Sequence, residues 1–335
     1  MFPIDEERVK LIIKICNLYY FDELTQQQIS ERLGISRPHV SRMLTLAKNE
    51  GIVNISIKNP YSEEQKFEKK MVDQFDIVDA VIVDTYNLSP MNSIKMVTTG
   101  VTALLKRFLH NGDIIGVAAG NTMNVVSENL GVIDRDDLAV VPLIGGIGPD
   151  GATWQANRIV RNLAECLNCN YYQLNAPAFV STKAAFDVFM AEPGIKDVCD
   201  VALNAKIALV GIGTLKEYAT IIRSGLLKES DIQELHAKGA IASICNSFVD
   251  ANGHCVDFSG NDRMIGATIN QVQDIPEIIA VAVGVDKVDA ITSVLIGGWI
   301  DYLVTNLETA KAVLRQAGVP DHLSSRTEES HLKEK

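Results

Sequence analysis

The chain has 335 residues, 47% of them hydrophobic, 22% charged and 6% aromatic. This is the profile of an ordinary globular protein of about two domains, and it excludes a wholly disordered chain, a collagen-like repeat and a small disulfide scaffold. The net charge of −11 excludes a basic packaging protein, but residues 1–58 carry 8 basic and 7 acidic side chains against 23 and 35 in the remainder, which leaves room for a local basic surface on a near-neutral head.

Met1 to Glu7 place acids where a secretory signal needs basic residues, and no apolar run approaches the ~20 residues that cross a bilayer. A cytoplasmic protein with no membrane partner is expected. The six cysteines, Cys16, Cys166, Cys169, Cys199, Cys245 and Cys255, sit mostly in apolar segments and read as thiols of a reducing compartment. Cys166 and Cys169 form a lone CxxC with no second ligand pair, so neither a metal site nor a cofactor is expected.

A helix over 9–21 precedes the first motif. Residues 25–44 read Thr-Gln-Gln-Gln-Ile-Ser-Glu-Arg-Leu-Gly-Ile-Ser-Arg-Pro-His-Val-Ser-Arg-Met-Leu, a helix-turn-helix pattern with a reason at each key position. Thr25 caps the first helix, Ile29 and Leu33 face inward, and small Ser30 allows the helices to cross. Gly34 takes the left-handed turn conformation and Ile35 plugs the turn. Ser36 caps the second helix, Pro38 is tolerated in its first turn, and Val40, Met43 and Leu44 form its buried stripe. Arg37, His39, Ser41 and Arg42 then point outward at the helix start, the end that reads the major groove. Ser36 belongs with this DNA-binding set, and Gln26, Gln28 and Thr45 are candidate backbone contacts. The alternation Ile52-Val53-Asn54-Ile55-Ser56-Ile57-Lys58 predicts a wing strand with Lys58 near phosphate.

Asn59-Pro60 breaks the pattern, and a charged helix is predicted over Glu63 to Phe75. Continuous apolar runs then alternate with helical stretches: Ala80–Val83, Ile114–Val117, Ala139–Leu143, Ile207–Ile212, Ile278–Val283 and Tyr302–Val304. Strands buried on both faces and separated by helices imply an α/β fold with a mainly parallel sheet. A further strand is expected near Tyr171 to Leu174. The predicted organisation is a head over 1–58, an α/β domain over 59–318 and a frayed tail over 319–335, with no internal repeat.

Glycine-rich segments follow three of these strands. Gly116 to Gly120 runs into Asn121, Thr122 and a helix from Met123, and backbone amides at such a helix start make an anion cradle. The second segment, Gly145-Gly146-Ile147-Gly148-Pro149-Asp150-Gly151, contains GxGxxG, but Pro149 interrupts it and no acid follows for a ribose, so a nicotinamide cofactor is not expected. The third is Gly211-Ile212-Gly213-Thr214. Arg223 and Lys287 are candidate cations. Gln155 and Asn157, opening a helix after the second loop, are placed to reach sugar hydroxyls, whereas Arg158 and Arg161 read as a solvated face.

Taken with Val141-Pro142-Leu143-Ile144-Gly145-Gly146, Leu174-Asn175-Ala176-Pro177-Ala178, Val210-Gly211-Ile212-Gly213, the stretch Ile279 to Ile291 and Leu303-Val304-Thr305-Asn306, these segments make the chain resemble the SorC family of sugar-responsive bacterial transcriptional regulators over nearly its whole length. The resemblance implies a sugar-phosphate-isomerase-like effector domain that binds a sugar, polyol or phosphosugar, and homotetramers that bridge operator half-sites on double-stranded DNA. By position it implies that Gly120, Asn121 and Thr122 hold a phosphate or terminal hydroxyl, that Gly145, Gly146 and Gln155 line the pocket, and that Arg223 and Lys287 supply cations. Two departures stand out: Asn306 and Ser243 occupy positions where the family usually has an acid, which points to a more anionic or more oxidised effector. Ile144, before Gly145, offers no lysine for an imine. The reading is a DNA-binding regulator of a carbohydrate operon and not an enzyme. The alternatives are an active sugar-phosphate isomerase or deaminase with a DNA-binding head, and a constitutive DNA-binding protein whose α/β domain serves only assembly.

Overall fold

The computed structural model describes residues 6–53, 63–146, 154–217 and 219–320. The chain divides into two compact units, Met1–Pro60 and Tyr61–Lys335. The wing strand, the GxGxxG turn and most of the tail fall outside the described residues.

The first unit contains helices α1 (Glu6–Tyr20), α2 (Gln26–Leu33) and α3 (Arg37–Asn49). α1 starts earlier than its apolar pattern suggests, and the acid Glu7 in its first turn suits a helix N-terminus. Thr25 and Gln28 form a capping box at α2, and Gly34 follows that helix in the left-handed conformation (φ 65°). Ser30 donates its hydroxyl to the Ile35 carbonyl at 2.5 Å, which ties the helix to the turn. Ile12, Ile15, Ile29, Val40, Met43 and Leu44 are buried in one small core. Three short helices are marginal alone, and this shared core is what holds them.

The second unit opens with α4 (Glu63–Phe75) and continues β1 (Asp79–Val83), α5 (Pro90–Phe108), β2 (Ile114–Val117), α6 (Asn121–Asn129), β3 (Ala139–Pro142), α7 (Ala156–Leu167) and β4 (Asn170–Tyr171). Then come α8 (Lys183–Ala191), α9 (Pro193–Leu203), β5 (Ile207–Thr214), α10 (Thr220–Arg223), α11 (Glu229–Ala237), β6 (Ala240–Ile244), β7 (Ser247–Asp250), α12 (Ile269–Val272), β8 (Glu277–Val281), α13 (Val288–Ile296), β9 (Tyr302–Asn306) and α14 (Leu307–Gln316). Seven strands lie in the order β1-β9-β8-β5-β2-β3-β4, every neighbouring pair parallel.

Alternate residues of these strands feed two cores. Ala80, Ile82, Ala208, Val210, Ile278 and Leu303 face one side with α4, α13 and α14. Ile115, Val117, Ile207, Leu209, Ile279 and Val304 face the other with α5, α6 and α7. Burial on both faces is why the strands read as unbroken apolar runs. The strand expected near Tyr171 to Leu174 is only two residues long. It is an exposed edge, and beyond it the Leu174 N–H donates to Asn157 Oδ1 rather than to a strand.

After β2 the chain moves outward to β3, and after β5 it moves the other way towards β8. The β2–β5 boundary is therefore the sheet's switch point, where open α/β sheets bind ligands beyond the strand ends. One feature was not anticipated from the pattern of parallel strands. β5 runs past the sheet, and its last residues pair antiparallel with β6, Gly213 opposite Ser243. The β6–β7 hairpin is thereby laid across the ligand-facing end.

Candidate effector cavity and nucleic-acid interface

A cavity of about 360 Å³ opens at the switch point. Its floor is the loop Ala118–Gly120, the start of α6 and the end of β5; Val283, Asp286 and Lys287 close one side, and Ser243, Cys245, Asn246 and Phe248 of the hairpin overhang it. Gly120 adopts φ 134° at the helix start, and no side chain caps that end. The Asn124 amide is satisfied by the Gly120 carbonyl at 2.9 Å, and the amides before it lie at the positive end of the helix dipole, on the cavity floor. Asn121 donates its side-chain amide to Thr220 Oγ1 at 3.2 Å, tying α6 to α10.

Lys287 is half-buried at the wall. Burial pushes its ammonium below the usual lysine value, against the opposing pull of Asp286. Lys216 donates to the Asp286 carbonyl at 2.8 Å and holds this loop. Asp286 is the one carboxylate and Lys287 the one cation among the described lining residues. Cys245, at the hairpin turn with φ 49°, has its thiol pushed up to about 12 by burial and so stays protonated near neutral pH. At Gly213 a Cβ would lie 2.5 Å from Ser243 Oγ, so glycine there is what admits the serine hydroxyl.

The structure brings Gly120, Asn121, Thr122, Ser243 and Lys287 to this cavity. Five other expected residues do not line it. Gly145 is a joint: a Cβ there would meet the Pro177 and Ala178 backbone at 2.7 Å, and its N–H donates to Ile265. Gly146 exchanges backbone bonds with Ala176 and Ala178, and the Gln155 side chain lies against Gly146 at the start of α7. Arg223 is exposed at the end of α10. Asn306 is 5% exposed; its Oδ1 accepts from the Thr309 N–H and its Nδ2 donates to Thr85, which makes it the cap of α14. Asn157 is likewise engaged in both directions with the Leu174 backbone. Of the two departures from the acidic pattern, only Ser243 bears on the cavity. Arg158 and Arg161 pair with Glu128 and Glu165 on an exposed face. Thr214, the end of the third glycine-rich segment, lines the cavity from β5; the residues missed from the sequence, chiefly Cys245, Asn246, Phe248 and Met264, belong largely to the hairpin, whose alternating Ala240–Ile244 was the available signal.

In the first unit, Arg37 and Arg42 are exposed while His39 and Ser41 are half-buried. Arg42 Nε donates to the Pro38 carbonyl at 3.4 Å, and Thr45 Oγ1 donates to the Ser41 carbonyl at 3.1 Å. Gln26 and Arg37 line one shallow groove with Tyr19 and Thr25. Two details differ from expectation. Ser36 stands at the N-cap position of α3, but its hydroxyl makes no cap bond. Gln28 Oε1 is occupied by both Thr25 donors at 2.9 Å, so this side chain first serves the cap.

Residues 59–315 match the Sugar-bind family, described as "Putative sugar-binding domain". The chain belongs to this family. Residues 5–47 match Sigma-70, region 4, a helix-turn-helix region. The chain is 30% identical over 314 residues to "Transcriptional regulator LsrR" of Enterobacter sp. (strain 638), covering 92% of this chain and 94% of that one. It is 29% identical over 322 residues to the "Sorbitol operon regulator" of Klebsiella pneumoniae, covering 93% and 99%. The full-length crystal structure of that regulator, SorC, superposes with a TM-score of 0.75 at 28% identity, covering 92% of this chain and 99% of SorC. This member of the Sugar-bind family is thus a DNA-binding transcriptional regulator of the sugar-operon type, with a helix-turn-helix head and a sugar-binding α/β domain. No helix among the described residues is long and apolar enough to cross a membrane.

Proposed function

We propose that this regulator controls a carbohydrate-utilisation operon in the cytoplasm by binding a phosphorylated sugar or polyol in the switch-point cavity, without turning it over. The observation that carries this reading is the uncapped start of α6, with Thr122 in its first turn, opening on the same cavity as Lys287. Helix-start amides and one ammonium suit a phosphate. The means of catalysis are few: aldose–ketose or deaminase chemistry needs a positioned base, and the described lining offers one carboxylate, a protonated thiol and the amine of Lys287, which this reading gives to the phosphate. Ser243 contributes a hydroxyl where an acid would bind sugar hydroxyls more strongly.

Arg37 and Arg42 are assigned to base edges, with His39 and Ser41 beside them. Gln26, Gln28, Ser36 and Thr45 are assigned to the phosphate backbone. Homotetramers would bring heads to half-sites ~34 Å apart or a multiple of that. The effector switches the protein only if it binds the DNA-competent and DNA-incompetent arrangements unequally.

The test is thermal melting of the full chain with sugars, polyols and their phosphates. Those that raise the melting temperature are then assayed for turnover and for their effect on binding to the DNA upstream of the protein's own operon. A phosphorylated compound that stabilises the protein, shifts DNA affinity and is recovered unchanged is the expected result, and Thr122→Ala or Lys287→Met should abolish it. Steady conversion of the compound would replace this reading with the isomerase or deaminase one.

A further inference from the structure

We infer that Asn246, in the turn of the β6–β7 hairpin, is a specificity-determining residue: its side-chain carbonyl accepts a hydrogen bond from a hydroxyl or amine of the effector. This deepens, and rests on, the reading of the cavity as a phosphosugar site. Ile244 pairs with Ser247 across the hairpin, so Cys245 and Asn246 are its two-residue turn. Cys245 takes the left-handed conformation there (φ 49°), which suits the first position of such a turn more than it suits a cysteine. Asn246 anchors the turn. Its Nδ2 donates to the Ile265 carbonyl at 3.1 Å, and the Gly145 N–H donates to the same oxygen at 3.0 Å. Gly266, with φ 120°, makes the seat: a Cβ there would lie 3.1 Å from Asn246 Nδ2 and 2.6 Å from Ile144 Cα.

The anchor decides which end of the amide is left over. Nitrogen, not oxygen, must face the Ile265 carbonyl, because two carbonyl oxygens have no proton to share. Oδ1 is therefore the free end, and among the described residues no donor reaches it. Asn246 is 7% exposed and lines the cavity. Oδ1 is not one of the polar atoms sealed from solvent without a partner, so the space it meets is the cavity. An amide oxygen held in this way is an obligate acceptor. The hydroxyls of Thr214 and Ser243 in the same lining can give or take a proton, and the Lys287 ammonium only gives one, so none of these three makes the same demand of a ligand. A buried acceptor left empty keeps the full cost of its lost water. A compound with an O–H or N–H at this point is thus favoured, and one with a bare carbon or an ether oxygen there is turned away.

The experiment is a double-mutant cycle between protein and ligand, read by calorimetric titration of the full-length chain. The probes are fructose 6-phosphate, tagatose 6-phosphate, xylulose 5-phosphate and sorbitol 6-phosphate, each beside its monodeoxy derivatives, against the unaltered protein and Asn246→Ala. For the tightest probe, loss of one particular hydroxyl should weaken binding about 5–150-fold in the unaltered protein, the cost of an unpaired buried acceptor. In Asn246→Ala the same loss should change little, because the acceptor it served is gone, and the two effects are then non-additive. A purely structural role for Asn246 would instead weaken every member by one factor and leave the ratios as they were. Asn246→Gly repeats the cycle on a turn that glycine suits, with the Gly145 N–H still on the Ile265 carbonyl. Deoxy ratios that are the same in all three proteins overturn the inference and leave the phosphosugar reading standing. Failure of all four probes to bind the unaltered protein overturns both together.

Discussion

The helix-turn-helix head and the switch-point cavity are built in opposite ways. The head presents its surface from twenty-one consecutive residues, Thr25 to Thr45: Thr25, Ser30, Gly34 and Pro38 set the geometry, and the side chains among and just after them are the ones displayed. The cavity draws on the loop after β2, the end of β5, the β6–β7 hairpin, the loop after β8 and single residues such as Ile144 and Met264. The lesson is that a surface made by one motif depends on local caps and a small core, whereas a concave site depends on distant pairings that hold its walls in place.

Substitutions that strike one region and spare the other sharpen this contrast. The largest effect is expected from Asp231→Asn. Arg263 pairs with Asp231 at 2.7 Å, with side-chain exposures of 10% and 3%, and removing one partner of a buried pair costs about 3–5 kcal/mol. Arg263 also lies over the Phe179 ring, so effector affinity should fall with stability while effector-free DNA binding by the folded protein persists. Chemical denaturation and gel shift measure the two. Ile29→Ala is the counterpart in the head: Ile29 is fully buried, and truncation costs about 2–5 kcal/mol. Calorimetry should show the head melting early with DNA binding lost, and the effector-induced shift of the second unit retained. A single merged loss of both activities would break the comparison.

Arg42→Ala should cost about 1–3 kcal/mol of affinity on the operator if the side chain grips a base. Equal loss on unrelated DNA would place it on phosphate instead, and titrations on both sequences decide. Asn306→Ala should lose a cap, about 0.5–2 kcal/mol of stability, with effector affinity unchanged. Ser243→Ala should do the reverse, and the pair separates a helix cap from a cavity residue. The smallest effect is a pH trend. Because burial lowers the pKa of Lys287 from 10.5, its charge is lost on raising the pH sooner than that of an ordinary lysine. Affinity for a phosphorylated effector should therefore begin to fall below pH 10.5 in calorimetric titrations. The effector's own phosphate is fully ionised at that pH, so Lys287→Met should flatten the trend.

The strands, the helix-turn-helix and the floor of the cavity were legible in the sequence because each rests on local periodicity or on glycine next to a helix start. Gly120 through Thr122 could be placed this way. Gly145, Gly146 and Asn306 could not: they occur in similar apolar and glycine-rich contexts, yet one makes room for the Pro177 backbone, one pairs with Ala176 and Ala178, and one caps α14. What distinguishes them is which neighbour arrives from far along the chain. Likewise nothing near Gly213 announces that Ser243 will sit on it, because that contact depends on the antiparallel register of β5 and β6.

By itself, the sequence determined the two-part plan, the buried parallel strands and the exposed arginines of α3, since caps, turns and hydrophobic period act over a few residues. Only the tertiary structure decided which polar groups face the cavity and that Phe179, Phe248 and Met264 line it with them. Those outcomes follow from strand order and from the hairpin folded over the sheet's end, and such long-range pairings leave no periodic trace in the chain.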